Sequence, residues 1–261
     1  MPTSEEPLTH RFGDVTATLT GNNVAEVEMH RAPANFFDTA LLGALIEAIT
    51  WAAGRRCRAV VLCSEGRHFC AGFDFSASGP PDPGALRTLY DRAEEFVSGP
   101  LPVVAAVQGG AIGGGLGLAL AADFRVCGPT SRFAANFARL GLHQGFGLSA
   151  TLARVIGGQK ALDLLCTGRR IDGAEALNIG LVDRLAEDPR LGARALAEEI
   201  AASAPLAVAS IRKTMRAGLA DAFGAAIEHE RLEQLALMGT DDFREGIEAS
   251  LQRRDPDFLG R

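Results

Sequence analysis

The chain has few aromatic residues: among 261 residues there is one tryptophan and one tyrosine. It has no basic run and a net charge of −6, so nucleic acid is not an expected partner. No apolar stretch approaches the roughly 20 residues of a membrane span. The opening MPTSEEPLTHRFGD is polar and acidic and lacks a secretory signal pattern, which leads us to expect a cytoplasmic protein. Cys57, Cys63, Cys70, Cys127 and Cys166 form no C-x-x-C pair and lie in or beside apolar runs. Buried reduced thiols are therefore expected rather than disulfides or zinc ligands. His229-Glu230 opens like the zinc motif H-E-x-x-H, but Glu233 stands at the second histidine, so an exposed helix face is expected.

What is present is a chain with 47% hydrophobic residues, long enough for one large domain or a domain with a helical extension. Val15–Leu19 and Val24–Met29 read as strands joined by a turn at Gly21-Asn22-Asn23. Further short strands are expected at Ala59–Cys63, Val103–Val107 and Phe124–Cys127. Thr39–Arg55 reads as a helix capped by Asp38 or Thr39. The segment 76–84 reads as a Gly/Pro/Ser loop, and Asp82–Ser98 as a helix. Beyond about residue 148 the strand signals fade and seven helices are expected, the last over Asp241–Gln252. Short strands separated by helices favour parallel crossover units, so the fold class is α/β, with a core over 1–200 and a helical region over 201–261.

The densest signal is QGGAIGGGLGLALAAD (108–123), a strand running into five glycines and then an apolar helix. Such a junction leaves N–H groups unpaired at the positive end of a helix dipole, where they hold an anion or an oxygen that becomes one. The dinucleotide fingerprint fails because Leu118 stands where glycine is needed, and the phosphate loop fails because Leu116 replaces lysine. Close packing of strand on helix is the alternative reading. A second loop of the same kind, HFCAGFDF (68–75), follows the strand Ala59–Cys63. Two strand-end loops that each offer one N–H to a single oxygen would make an oxyanion hole.

Five colinear segments carry a family resemblance. They are HRAPANFFD (30–38), HFCAGFDF, the strand and glycine loop through Cys127, FARLGLHQGFGLSATLARVIG (137–157) and TGRRIDGAEALNIGLVDRL (167–185). Together they resemble the enoyl-CoA hydratase/isomerase, or crotonase, superfamily from about Val15 to Leu251. The resemblance implies a ββα spiral, C-terminal helices that build a trimer or a dimer of trimers, and a coenzyme A thioester as substrate. It gives no reason to invoke a metal, flavin, nicotinamide or other permanently bound cofactor. It implies that Phe73 and Gly114 supply the two backbone donors to the thioester oxygen. By the same resemblance Ala34, Asn35, Phe36, Ala71, Gly72, Asp74, Gly113 and Phe137 lie along the substrate.

The resemblance also exposes departures. The two glutamates of a hydratase would align with Gly117 and Phe137, and the aspartate of the dehalogenase and dienoyl isomerase branches with Gly145. His143 is the candidate acid/base left nearby, with a hydrogen-bonding role inside its own loop as the alternative. His68, Glu65 and Asp74 read as structural, and Asp91, Glu94 and Glu95 as exposed helix carboxylates. Phe36, Phe37, Phe73, Phe137 and Phe146 form an acyl pocket if they converge. The function expected is acyl-CoA binding with enolate stabilisation. The alternatives are another enolate reaction using His143 (decarboxylation, hydrolysis or C–C cleavage) and a non-catalytic acyl-CoA binder or scaffold.

Overall fold

The computed structural model describes residues 7–75 and 82–261, so most of the loop expected over 76–84 falls outside the described residues. The first strands are β1 (Thr9–Phe12), β2 (Val15–Leu19) and β3 (Val24–Met29), antiparallel neighbours in chain order. Then β4 (Ala59–Ser64), β5 (Val103–Val107), β7 (Phe124–Cys127) and β10 (Arg184–Leu185) extend the sheet in parallel. The resulting seven-stranded order is β1-β2-β3-β4-β5-β7-β10. A smaller sheet contains β6 (Gly110–Ile112), β8 (Arg132–Ala134) and β9 (Ile171–Asp172).

Successive turns of chain visit both sheets. Strand β4 leads to Cys70, which bridges to Ala111 of β6; β5 leads to β6, and β7 to β8. The large sheet runs β4-β5-β7 while the small one runs Cys70-β6-β8, so the chain climbs as a spiral. That climb sets the loop after β4 directly beside the glycine run after β5.

The central strands are apolar throughout because both faces of the sheet are covered. Alternation assigns the faces. Val60, Leu62, Val103 and Ala105 belong to one core, whereas Ala59, Val61, Val104 and Ala106 belong to another. The second core is closed by helix α7 (Pro189–Ala202) through Ala193, Leu196, Ala197 and Ala201. The first is closed by α1 (Thr39–Gly54), whose buried Leu41, Leu42, Leu45, Ala48, Ile49 and Ala52 form one helical stripe. Asp38 caps this helix by accepting from Leu41 N at 2.8 Å. Helix α2 (Pro83–Val97) buries Leu86, Leu89, Tyr90, Ala93, Phe96 and Val97 at the same helical spacing.

The remaining helices are α3 (Gly114–Ala121), α4 (Leu148–Ile156), α5 (Gly158–Thr167), α6 (Gly173–Asn178), α8 (Pro205–Met215), α9 (Leu219–Leu237) and α10 (Asp241–Gln252). The sequence reading missed β1, β6, β8, β9 and β10 because each is short and lacks a distinctive period. Strands β9 and β10 correct the expectation that strand structure ends near residue 148, since they tie the helical half back to both sheets. Helix α9 packs on α4 and α2, and α10 on a 3-10 helix at Asn136–Leu140. Helix α8 buries none of its residues.

Two expectations need correction. Cys166 is exposed, near the end of α5, while the other four cysteines are buried. The α9 face at His229-Glu230 is not wholly exposed. His229 faces solvent, but Glu230 is fully buried. No helix among the described residues is long and apolar enough to cross a membrane.

Candidate active site

The two strand-end loops are bound into one structure. Phe69 N donates to Gln108 O at 2.9 Å, Cys70 N to Gly110 O at 3.1 Å and Ile112 N to Cys70 O at 3.0 Å. Gln108 Nε2 reaches back to Ser64 O at 2.7 Å, and Gly110 N donates to His68 Nδ1 at 3.1 Å. The approach is close enough to require glycine. A Cβ on Gly115 would collide with the Cys70 carbonyl, and one on Gly72 would sit 3.1 Å from Gly114 N. Gly72 also has φ +88°, a conformation open to glycine without penalty.

Gly114 begins α3, where N–H groups have no intrahelical acceptor. Among the described residues no backbone carbonyl receives either the Gly114 N–H or the Phe73 N–H. Both residues border one cavity, and the contact between Gly72 and Gly114 brings their loops together.

The segment 30–38 lies along the first loop. Ala71 N donates to Ala34 O and Phe37 N to Gly72 O, both at 2.9 Å. Asn35 is fully buried at φ +50° and its amide is occupied within the protein. Its Oδ1 accepts from Arg31 N at 3.0 Å, and its Nδ2 donates to Glu65 O and His68 O at 2.9 and 2.7 Å. Asn35 thus pins the loop that carries Phe73. Glu65 pairs with His30 at 3.0 Å. Ala34 and Phe36 are partly buried, and Asp74 follows Phe73 in a partly buried position.

The cavity measures about 80 Å³. Of the five phenylalanines expected to converge, Phe37, Phe73, Phe137 and Phe146 border it, and Phe36 does not; Phe75 takes its place. Ala71, Gly113 and Gly114 also border it. Phe37 packs on Phe146 with ring centroids 5.0 Å apart. A Cβ on Gly117 would come within 2.6 Å of the Phe146 Cβ, so the third residue along from Gly114 is covered by that side chain. A Cβ on Gly145 would overlap Tyr90 Oη and approach Gln234 Nε2 to 2.6 Å.

Tyr90 and Gln234 supply polar atoms to this aromatic wall. The Tyr90 hydroxyl donates to Gln234 Oε1 at 2.7 Å, and Gln234 Nε2 donates to His143 O at 2.9 Å. Burial raises the Tyr90 phenol well above its ordinary range, so it stays neutral. Four residues further back on α9, Glu230 accepts from Gly147 N and Ser149 N at 2.7 and 2.8 Å. Its burial outweighs these two bonds and pushes its carboxyl up to about 7.

The His143 side chain does not border the cavity. Its Nδ1 pairs with Gln144 O at 2.8 Å, and its ring stands edge-on to His229 at 5.8 Å. Asp91, Glu94 and Glu95 face solvent on α2. The sequence reading overlooked Tyr90, Gln234 and Glu230. Tyr90 was detectable as part of the apolar stripe of α2. Glu230 and Gln234 are spaced i,i+4 and share a helix face, but nothing local marks that face as inward. Among the described residues no three His, Cys, Asp or Glu side chains gather as a metal ligand set.

Comparisons with known proteins agree with this architecture. The family model for enoyl-CoA hydratase/isomerase matches residues 20–261. The probable enoyl-CoA hydratase EchA14 of Mycobacterium tuberculosis is 41% identical over 184 residues, covering 69% of this chain and 72% of that protein. A probable enoyl-CoA hydratase of Bacillus subtilis is 32% identical over 249 residues, covering 91% and 95%. The crystal structure of an enoyl-CoA hydratase from Mycobacterium avium superposes with a TM-score of 0.83 at 30% identity, covering 94% of this chain and 98% of that one. The two sheets, the spiral connection and the C-terminal helices are the crotonase fold. On its own residues and on these likenesses, the chain belongs to the enoyl-CoA hydratase/isomerase (crotonase) superfamily.

Proposed function

We propose that this chain is an enoyl-CoA hydratase/isomerase-like enzyme that binds an acyl-CoA and stabilises the enolate of its thioester. The observation that carries the proposal is the pair of unpaired N–H groups, Phe73 and Gly114, on two hydrogen-bonded loops beside an apolar cavity. A thioester oxygen gains negative charge as the enolate forms. Donors already aimed at it favour that state over the ground state. The coenzyme A is proposed to run along Ala34–Phe36 and Ala71–Gly72, with the acyl group against Phe137 and Gly113. In this reading Asn35 holds the loop rather than the ligand, because its amide is already occupied.

The reaction proposed does not use the usual pair of glutamates. Gly117 and Phe137 occupy the positions that the resemblance assigns to them, and Phe146 fills the space above Gly117. Hydration of a simple enoyl-CoA is then slowed by about 10²–10⁴-fold for want of a proton-transfer group. No proton is routed through His143, whose side chain does not border the cavity. The assembly proposed is a trimer or a pair of trimers. It is supported by α8, which buries nothing of its own and turns Leu206, Ile211 and Met215 outward.

Infrared difference spectroscopy with a ¹³C-labelled butanoyl-CoA tests the hole. A bound thioester carbonyl is expected to absorb at lower frequency than the free one. Gly114→Ala, whose Cβ would come within 2.6 Å of the Phe37 ring beside that N–H, is expected to block the approach of the carbonyl and diminish the shift. An unshifted carbonyl in the wild type overturns the proposal. Hydration of crotonyl-CoA at the rate of a relative that retains both glutamates overturns the statement about acid/base groups.

A further inference from the structure

Phe146 has φ +59°, a backbone region in which a bulky side chain is a genuine outlier. Strain of this kind persists where the surroundings over-determine it, and it clusters at functional sites. Here the surroundings are visible. Glu230 takes the N–H groups of Gly147 and Ser149 on one side of the residue. The Phe146 N–H faces the Tyr90 oxygen, which is itself bonded to Gln234. The Phe146 ring meets Phe37 at 5.0 Å. Glu230 and Gln234 both belong to α9, so that helix clamps the segment 145–149 from two points.

The clamp places Phe146 over Gly117, three residues along α3 from the Gly114 N–H. Three residues of helix span about 4.5 Å, and positions i and i+3 share a face. Gly114 and Phe146 border the same cavity, so an acyl chain that enters it with its carbonyl at Gly114 reaches Phe146 within its first few carbons. The cavity of about 80 Å³ is far below the roughly 300–1,000 Å³ of a pocket for a drug-sized ligand.

We infer that Phe146 is the specificity-determining residue that limits this site to short acyl thioesters of about four carbons, and that Glu230 of α9 is the positioning residue that keeps it there. The inference rests on the acyl-CoA reading above. It goes further by assigning the depth of the pocket to one strained side chain and its buried carboxylate.

Calorimetric dissociation constants for butanoyl-CoA and octanoyl-CoA test it. The wild type is expected to bind butanoyl-CoA at least tenfold more tightly than octanoyl-CoA. Phe146→Ala and Phe146→Gly are expected to move that ratio at least tenfold toward the longer ester. The glycine variant relieves the positive φ and so offsets part of the stability lost with the buried ring; circular dichroism of both variants separates loss of fold from a change in the ratio. Glu230→Ala is expected to move the ratio the same way by about threefold or more. Glu230→Gln, which keeps one acceptor, restores about half of that change. Absence of a preference in the wild type, or an unchanged ratio in the Phe146 variants, overturns the role of Phe146. Altered stability of Glu230→Ala with an unaltered ratio overturns the positioning role. If the wild type binds neither ester, the acyl-CoA reading fails as well. If it binds both and the ratio stays fixed, this inference alone fails.

Discussion

At the scale of single residues, Glu230 is a carboxylate without exposed surface. Glu230 has its folded carboxyl raised from 4.5 to about 7 by burial. A raised acid binds its proton more tightly in the native state than in the unfolded chain. Its contribution therefore favours the fold at low pH and weakens as pH rises through the window from about 4.5 to 7. We predict that the unfolding free energy of the wild type, relative to Glu230→Gln, falls by about 2–3 kcal/mol between pH 5 and pH 8. Urea unfolding at stepped pH measures this, and a flat difference contradicts it. Part of the site was readable at this scale. The two glycine-bearing loops were legible in the sequence, because tight approach of backbone leaves few residue choices, and Phe73, Gly114 and Ala71, assigned by the family resemblance, border the cavity. Glu230 was not legible, because its environment is supplied by Gly147 and Ser149, more than 80 residues away in the chain.

At the scale of elements, the junction between the loop after β4 and the N-terminus of α3 holds the candidate hole together. We predict that Gly115→Ala destabilises the protein by about 3 kcal/mol, at the upper end of the usual overpacking range, because the new methyl meets the Cys70 carbonyl. Gly43→Ala in α1 meets no atom within 4 Å and is predicted to stabilise by about 0.5–1 kcal/mol through helix propensity. Denaturant midpoints for the two variants should move in opposite directions. Helices were legible wherever an apolar stripe recurred over three turns, as in α1 and α2. The two-residue strands β9 and β10 were not, since so short a segment shows no period and is defined by its partner strand.

At the scale of the whole molecule, α8 is a helix that buries none of its residues against the single chain. Leu206, Ile211 and Met215 are 85%, 62% and 66% exposed. Exposed apolar side chains gathered on one element favour association. On the proposed assembly, light scattering is expected to give a trimer or hexamer mass, and Ile211→Asp is expected to lower it. A monomeric wild type contradicts the assembly. Helices α9 and α10, in contrast, return to their own body, and Gln234 of α9 borders the cavity. Ile227 and Phe243 are buried there, while Leu232 and Leu251 stay exposed.

Local chemistry in the sequence determined the family, the parallel crossover body and the two loops of the candidate hole. Each depends on segments that are contiguous in the chain: an apolar strand, a glycine turn and a helix start. Tertiary structure alone decided what surrounds that hole. It set Phe146 over Gly117, placed Tyr90 and Gln234 against Gly145, turned His143 away from the cavity and buried Glu230 beneath them. The physical reason is that these contacts join α2, α3, α4 and α9, and their energies depend on packing between elements rather than on the propensity of any one of them.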